Sequence, residues 1–419
     1  MHLTKDSDRR LFIRLIVLVF ISFGSSSVSF SFVAHSMIAS LQILLGVWRA
    51  TLALPDAPLP FNFEMKQQQG KYRMEIINGD ERILADEITL KGDSMFIHMP
   101  VFDSEFRLKI ENKNMHGVWI NHARKEQPQI IFNAAYGNSS RFISTSPTDK
   151  NVVGRWETYF DAGTPDSSLA IGVFTQKDQI VKGTYLTASG DHRYLSGNVN
   201  GDTLWLSTFD GSHCWLYRAI INGDKMQGIF WSGNHAKSNF RAVRNDKIEL
   251  PDPNKVTLVN KKLQFRFPDV DSNLISLTDD RFKNKVVLLQ IMGSWCPNCL
   301  DETSFFVDYY NSHHQEGLEI IGLAFEKTTD FKKASSNIKR LQQHYQIPYP
   351  LLIAGTTGKD AVINALPGIT NFISYPTTIF INRKGETVKV HAGFSGPATG
   401  KDYEIYKKEF TETVQQLLR

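Results

Sequence analysis

The sequence contains few cysteines, with only Cys214, Cys296 and Cys299 among its 419 residues. Three cysteines cannot supply the dense disulfide framework of a small secreted scaffold, so the fold must depend on a hydrophobic core. An excess of one charge is also missing, because 47 Lys and Arg residues stand against 43 Asp and Glu residues. Without a basic block, the sequence gives no support for nucleic acid as a partner.

A long apolar run is missing from the amino terminus as well. The run Leu15–Phe23 has nine residues, whereas a membrane-spanning helix needs roughly 20. Basic residues precede this run: Lys5, Arg9, Arg10 and Arg14. The pattern predicts a signal peptide, or an uncleaved signal anchor, over residues 1–36, and therefore an exported protein of the periplasm or cell envelope.

Short runs of alternating apolar and polar residues fill the segment 45–245. Examples are Phe106–Ile110 and Thr203–Ser207, which are typical of half-buried antiparallel strands. Turn dipeptides separate the runs, at Asn78-Gly79, Gly92-Asp93, Asn200-Gly201 and Asn222-Gly223. An Asn-Gly pair between alternating runs is the strongest local sign of a β-hairpin. The segment is therefore predicted to be all-β.

The β segment is predicted to be internally duplicated, with halves at about residues 45–145 and 153–245. Gly46-Val47-Trp48 opens the first half and Gly154-Arg155-Trp156 opens the second. Near the ends of the halves, Gly117-Val118-Trp119 corresponds to Gly228-Ile229-Phe230-Trp231. Each half is expected to be an antiparallel meander, either rolled into a barrel or left as part of a sandwich or an open sheet. The Gly-x-Trp openings are similar to those of lipocalin-like barrels.

A different pattern begins after residues 246–261, a predicted linker that contains Pro251 and Pro253. From residue 262 to 419, apolar runs alternate with amphipathic ones, which predicts an α/β domain. The predicted strands and helices are Val286–Met292, Leu318–Phe325, Thr378–Asn382 and Thr387–His391, and Pro297–Tyr310, Asp330–Tyr345 and Asp402–Leu418. Strands that alternate with helices and then end in a hairpin form the thioredoxin layout.

The pair Cys296 and Cys299 lies where a predicted buried strand passes into a predicted helix. A sulfur at the amino end of a helix faces unpaired N–H groups and the positive end of the helix dipole, which stabilise a thiolate. The first helical turn brings Cys299 to the same face as Cys296. These positions predict that Cys296 attacks a disulfide and that Cys299 resolves the mixed disulfide.

Other chemistry also uses this cysteine spacing. Half of a zinc site has it, but the remaining cysteine, Cys214, supplies no second pair, and no histidine stands at finger spacing. A peroxiredoxin needs Thr or Ser three residues and Pro seven residues before its cysteine, and those positions hold Gly293 and Leu289. Cys214 itself lies among predicted strand residues, as a buried inert thiol or as a partner in a regulatory or intermolecular disulfide.

The segment 262–419 resembles the TlpA/ResA-type thioredoxin-like proteins of the AhpC/TSA-redoxin superfamily. The resemblance lies in Lys285–Gln290, in the WCPNC motif of Trp295–Cys299, and in Tyr375–Asn382. It implies an exported or tethered thiol-disulfide oxidoreductase without a cofactor. It also implies that protein disulfides are the substrates, often in cytochrome c maturation, and that a membrane thiol shuttle is the reductant.

By the same resemblance, the catalytic residues are Cys296, Cys299, Glu302 and Pro376, and the substrate contacts are Trp295 and Tyr375. A cis peptide bond before Pro376 would let the backbone of Tyr375 pair with an extended substrate. Gln290 occupies the position where relatives keep a buried acid or an asparagine, which leaves Glu302 as the candidate acid-base group. A solvated surface glutamate is the alternative for Glu302.

Two main hypotheses describe the whole chain. In the first, it is an exported protein-disulfide reductase that contributes to cell redox homeostasis. In the second, the β segment is a ligand-binding or partner-docking module with an appended redox domain, and an apolar pocket in that segment would favour it. A thiol-peroxidase-like antioxidant is a further alternative.

Overall fold

Antiparallel β-sheet makes up the part of the structure that precedes residue 245. A computed structural model describes residues 43–254 and 261–419. The predicted signal at residues 1–36 and part of the predicted linker, residues 255–260, lie outside the described residues. Among the residues that are described, no helix combines the length and the apolar character that a membrane crossing requires.

The first sheet has nine strands in the order β4-β3-β2-β1-β9-β8-β7-β6-β5. These are β1 (Gly46–Leu54), β2 (Ala57–Gln68), β3 (Lys71–Asn78), β4 (Glu81–Ala85), β5 (Glu87–Lys91), β6 (Ser94–His98), β7 (Ser104–Glu111), β8 (Asn114–Asn121) and β9 (Gln129–Tyr136). Strand β1 pairs with both β2 and β9. Within the described part of the chain, no ladder joins the edge strands β4 and β5, so this sheet is an open barrel.

The second sheet also has nine strands, and most of them form a closed barrel. These are β10 (Gly154–Phe160), β11 (Ser168–Lys177), β12 (Ile180–Thr187), β13 (Gly190–Asp191), β14 (Leu195–Asn200), β15 (Thr203–Phe209), β16 (Cys214–Asn222), β17 (Lys225–Ser232) and β18 (Ala236–Arg244). Strand β12 pairs with β11 on one side and with β14 on the other, which closes the ring. The all-β prediction is confirmed, whereas the similarity to lipocalins stays a prediction.

The two sheets have a similar order of strands. In each sheet the first strand lies between the second and the ninth. The indoles of Trp48 and Trp156 are both fully buried. Each donates its N–H to the carbonyl four residues earlier, Leu44 at 3.0 Å and Val152 at 2.8 Å. This correspondence is what an internal duplication would produce, although the domain and repeat boundaries stay predictions.

The Asn-Gly turns lie between paired strands. Gly79, Gly201 and Gly223 have φ values of 57°, 60° and 57°. They join β3 to β4, β14 to β15 and β16 to β17. Tight hairpins need positive φ, which glycine adopts without the steric cost that a Cβ brings.

One side chain of the second sheet completes the core of the first. Phe209, at the end of β15, is fully buried, with its ring 4.7 Å from that of Phe61 and 5.3 Å from the indole of Trp119. The hydroxyl of Ser207 donates to the carbonyl of Pro60 at 2.6 Å. The open side of the first barrel is thus filled by the second, and the two sheets share one core.

The segment after residue 261 is an α/β domain with a five-stranded sheet in the order β23-β22-β21-β24-β25. A two-stranded sheet precedes it. The strands are β19 (Arg266–Pro268), β20 (Leu274–Ser276), β21 (Val286–Met292), β22 (Leu318–Glu326), β23 (Leu351–Thr356), β24 (Thr377–Ile381) and β25 (Thr387–Ala392). The helices are α1 (Pro297–His313), α2 (Phe331–Tyr345), α3 (Lys359–Ala365) and α4 (Lys401–Leu418), with 3-10 turns at Asp280–Phe282, His314–Glu316 and Pro397–Thr399.

This layout agrees with the predicted thioredoxin arrangement. Strands β21, β22 and β23 are parallel, β24 pairs antiparallel with β21, and β25 pairs antiparallel with β24. Every residue of β21 is buried, because α1, α2 and α4 pack on one face of the sheet and α3 packs on the other. Strand β23 and helix α3 were not predicted from the sequence. From Ile43 onward, the two β sheets and this domain belong to one compact unit.

Replacing Phe209 by alanine tests the shared core. We expect Phe209→Ala to lower the free energy of unfolding by about 3–5 kcal/mol, because it removes a buried ring from between two sheets. The matched control is Ile131→Ala on the first sheet, where the side chain is 60% exposed, with an expected change within about 0.5 kcal/mol. Chemical denaturation measures both, and equal losses would contradict a shared core.

Candidate redox site

The cysteine pair lies at the junction between β21 and α1. Cys296 is the amino-terminal capping residue of α1, and Pro297 occupies the first helical position. The backbone N–H of Cys299 donates to the sulfur of Cys296 at 3.3 Å. The two cysteines form a disulfide with their Cα atoms 5.3 Å apart. Proline suits this position because the N–H that it lacks would have no partner within the helix.

The two cysteines differ slightly in accessibility. Both residues are buried, with Cys296 6% exposed and Cys299 0% exposed. Of the two, Cys296 is therefore the one nearer to the surface. In the reduced protein, the N–H of Cys299 and the dipole of α1 would both stabilise a thiolate on Cys296.

The predicted substrate contacts Trp295 and Tyr375 lie next to each other, and Tyr375 directly precedes the predicted catalytic residue Pro376. The peptide bond between Tyr375 and Pro376 is cis. The Tyr375 ring meets the indole of Trp295 edge-on, with the ring centres 5.4 Å apart. The indole N–H of Trp295 donates to the carbonyl of Phe325 at 2.9 Å, and the ammonium of Lys327 lies 4.7 Å from the ring centre.

Glu302 lies beneath the cysteines, in the interior of the domain. Its carboxylate accepts hydrogen bonds from Gln290 at 2.9 Å, Thr378 at 2.8 Å and Tyr406 at 3.2 Å. Burial raises the pKa of Glu302 to about 7. The amide of Gln290 also lies 3.3 Å from the carbonyl of Cys299, so one side chain connects Glu302 to Cys299. Glu302 is fully buried, so the surface alternative does not describe it.

A second buried acid supports the turn before the cysteines and was not predicted. Glu326, the last residue of β22, accepts from the backbone N–H of Ser294 at 2.8 Å and from its hydroxyl at 2.7 Å. Burial raises the pKa of Glu326. The only available signal was an acid directly after the apolar run Ile320–Phe325. Its contacts fix the position of the residue that precedes Trp295.

The sequence analysis also missed two residues of the second barrel, Asp191 and Arg193. The carbonyl of Asp191 accepts from the side chain of Asn298 at 3.1 Å. The guanidinium of Arg193 pairs with the carboxylate of Asp301. No local pattern marks these residues, because their partners lie more than 100 positions away along the chain. The redox site therefore has neighbours from the β region.

Cys214 lies away from this chemistry, at the start of β16. Its side chain is buried and its position pairs with Phe209 of β15. Burial raises the pKa of Cys214 to about 12. A thiol that ionises so reluctantly is a poor nucleophile, and the inert role stays the prediction for it.

Comparison with known proteins shows what this domain is. The family model for Redoxin matches residues 258–406. Residues 258–406 are a redoxin domain. The match does not extend into the β region, for which it therefore gives no family.

Relatives with a related redoxin domain are named for their activity. The thiol-disulfide oxidoreductase ResA of Halalkalibacterium halodurans is 28% identical over 131 residues, which are 31% of this chain and 66% of that protein. ResA of Bacillus thuringiensis subsp. konkukian is 26% identical over 157 residues, 38% of this chain and 80% of that protein. A thioredoxin-family thiol:disulfide interchange protein from Chlorobium tepidum is 21% identical, with a TM-score of 0.28, over 39% of this chain and 98% of that one. The predicted resemblance and the predicted enzyme class, a thioredoxin-like thiol-disulfide oxidoreductase, are confirmed.

The buried Glu302 of the redoxin domain predicts a pH dependence of stability. Its folded pKa of about 7 lies above its ordinary value of 4.5. The neutral carboxyl is therefore favoured by folding, and this contribution is complete below pH 4.5 and is lost as the pH rises through about 7. In the wild type, this loss lowers the free energy of unfolding by at most about 3 kcal/mol as the pH rises from 4.5 through about 7. We expect this decline to be absent from Glu302→Gln.

Chemical denaturation at several pH values measures the free energy of unfolding of the wild type and of Glu302→Gln. Burial raises the pKa values of Tyr406 and Tyr349, so they do not titrate in this window, but it lowers that of His391 to about 4. His391 therefore adds a slope of opposite sign to both proteins, and the difference between the two slopes reports Glu302. The same slope in Glu302→Gln and in the wild type would show that Glu302 is ionised throughout.

Proposed function

We propose that this chain is an exported reductase of protein disulfides that works by dithiol-disulfide exchange through Cys296 and Cys299. The observation that carries the proposal is the difference between the two sulfurs. Cys296 caps helix α1, accepts the N–H of Cys299 and is the less deeply buried of the two cysteines. These are the requirements for an attacking thiolate backed by a protected resolving thiol.

The reaction transfers two electrons to the substrate. The thiolate of Cys296 attacks one sulfur of a substrate disulfide and expels the other sulfur as a thiolate. The thiolate of Cys299 then attacks Cys296 and expels the second substrate sulfur, which also takes up a proton. The substrate disulfide becomes two thiols, and Cys296 and Cys299 become a disulfide.

The surrounding residues assist these two steps. The backbone at Tyr375, held by the cis bond to Pro376, pairs with an extended substrate segment, and Trp295 forms the opposite edge of the contact. Glu302 influences the ionisation of Cys299, because a buried acid with a pKa near 7 gains or loses a proton readily at neutral pH. The amide of Gln290 couples the two groups through its contacts with Glu302 and the Cys299 carbonyl.

Export and partners follow from the sequence and from the resemblance. The basic residues before Leu15–Phe23 are those of a signal peptide or signal anchor, which would place the enzyme in the periplasm or cell envelope. A membrane thiol shuttle would return Cys296 and Cys299 to the dithiol form. Components of cytochrome c maturation are the candidate substrates.

Two alternatives are weakened by specific contacts. A peroxiredoxin would need Thr or Ser at position 293, yet a Cβ at Gly293 would overlap the indole of Trp295. A ligand-binding β module would need internal space, yet aromatic side chains fill both barrels, among them Phe132 in the first and Tyr185 and Tyr217 in the second.

Trapping of the mixed disulfide tests the roles of the cysteines. We expect Cys299→Ser to accumulate a covalent adduct with a disulfide substrate, because the resolving thiol is missing, and Cys296→Ser to form none. The matched control is Cys214→Ser, which should turn over like the wild type. Non-reducing electrophoresis with peptide mapping measures the adducts. An adduct through Cys299 in Cys296→Ser would reverse the assigned roles.

A further inference from the structure

The loop between β12 and β14 lies against the redox site. We call residues 188–194 of the second barrel the cover loop. The carbonyl of Asp191 accepts from the side chain of Asn298, between the two cysteines, at 3.1 Å. The guanidinium of Arg193 contacts the carbonyl of Pro297 at 3.4 Å. A Cβ at Gly190 would overlap the side chain of Asn298, so the backbone of Gly190 packs directly on that side chain.

The same loop reaches the segment that follows β25. The carboxylate of Asp191 accepts from the backbone N–H of Gly396 at 2.8 Å. A Cβ at Gly393 would lie 2.8 Å from the carbonyl of Ala188. Gly393 in turn donates its N–H to the carbonyl of Pro376 at 2.8 Å. The cover loop therefore spans from the turn between the cysteines to the strand end beside the cis-proline.

The cover loop buries groups that would otherwise face a substrate. Pro297, at the first helical position, is buried, and Asn298 is half-buried. Gly393 and Gly396 are buried as well. A second protein that approached Cys296 from this side would have to displace the loop.

Buried charges hold the cover loop in place. The guanidinium of Arg193 pairs with Asp301 of α1 and with Glu81 of the first sheet, and all three side chains are largely buried. Glu81, Arg193 and Asp301 thus join three parts of the chain at one point. Removing the central cation would leave two buried carboxylates without their partner, which is strongly destabilising for the closed arrangement.

On the side of Trp295 away from the cover loop, a narrow opening remains. A cleft of about 200 Å³ lies between the redoxin domain and the first sheet. Its walls include Phe102, Lys125, Trp295 and Lys327. A cleft of this size admits side chains of an extended segment and excludes a folded surface.

We propose that the cover loop determines the specificity of the enzyme, and that Arg193 is its positioning residue. The loop admits disulfides on narrow, flexible segments of a partner protein to Cys296 and excludes disulfides on a folded surface. This inference rests on the proposed thiol-disulfide exchange at Cys296.

A matched pair of substrates tests the cover loop. The same thionitrobenzoate mixed disulfide is attached to the cysteine of a short flexible peptide or to a single surface cysteine of a folded protein. Each reacts with the reduced full-length enzyme and releases the same coloured thiolate, so the ratio of the two rates reports access and cancels changes in thiol reactivity.

For the wild type, we expect the peptide to react at least about tenfold faster than the folded carrier. For Arg193→Ala, we expect the ratio of the peptide rate to the folded-carrier rate to fall about tenfold. The matched control is Arg155→Ala, which removes another ion pair between the second barrel and the redoxin domain. In that pair the guanidinium of Arg155 lies 3.0 Å from the carboxylate of Asp402. Its ratio should equal that of the wild type.

Three outcomes would overturn the specificity role. These are a wild-type ratio near one, an equal change of both rates in Arg193→Ala, and the same change of ratio in Arg155→Ala. If Arg193→Ala does not fold, as judged by circular dichroism, Glu81→Gln removes one partner of Arg193 and must shift the ratio in the same direction. Failure of the proposed function is distinct, because Cys296→Ser would then react with the peptide as fast as the wild type.

Discussion

The amino end of helix α1 is bound from two sides, and the redox site depends on this double contact. From within the redoxin domain, Gln290 contacts the carbonyl of Cys299 and the carboxylate of Glu302. From the β region, Asp191 and Arg193 contact the residues between and just after the cysteines. We propose that the first contact acts on the thiol of Cys299 and that the second limits what reaches the thiol of Cys296.

The β region can act in this way because its two sheets are packed against each other. The closed second barrel fixes the ends of β12 and β14, so the loop between them has little freedom. Phe209 and Ser207 connect that barrel to the first sheet, which supplies Glu81 to the same charge cluster. A contact on the redox site is therefore supported by two sheets. This arrangement gives the β region a role at the site itself, beyond that of a separate module joined by a linker.

Local sequence patterns were sufficient to predict the strands, helices and turns that have a long apolar run, a capping residue or an Asn-Gly pair. The fully buried strand β21 was predicted with its observed bounds. Helix α2 was predicted one residue early, from Asp330, which caps the helix through the N–H groups of Lys332 and Lys333. The Asn-Gly turns marked hairpins because they need positive φ. Strand β23 and helix α3 were missed because six and seven residues carry too little periodicity to be recognised.

Features that depend on long-range contacts could not be predicted. Both halves of the β region have the same hairpin pattern, yet only the second closes, because closure depends on β14 pairing with β12. The burial of Glu302 could be suggested by family resemblance, but its partners Thr378 and Tyr406 come from distant strands and helices. The contact of Arg193 with Asp301 joins residues 108 positions apart, and neither residue stands in a recognisable motif.

The central claim is that the β region and the redoxin domain share one site, and hydrogen exchange of the wild-type protein tests it most directly. The backbone N–H groups of Arg193 and Gly396 both donate to the carboxylate of Asp191, at 2.7 Å and 2.8 Å. If the contact persists in solution, the Gly396 amide is protected and exchanges slowly, because its exchange requires the opening of the contact with Asp191. Rapid, unprotected exchange of Gly396 alongside a protected β barrel would contradict the shared site.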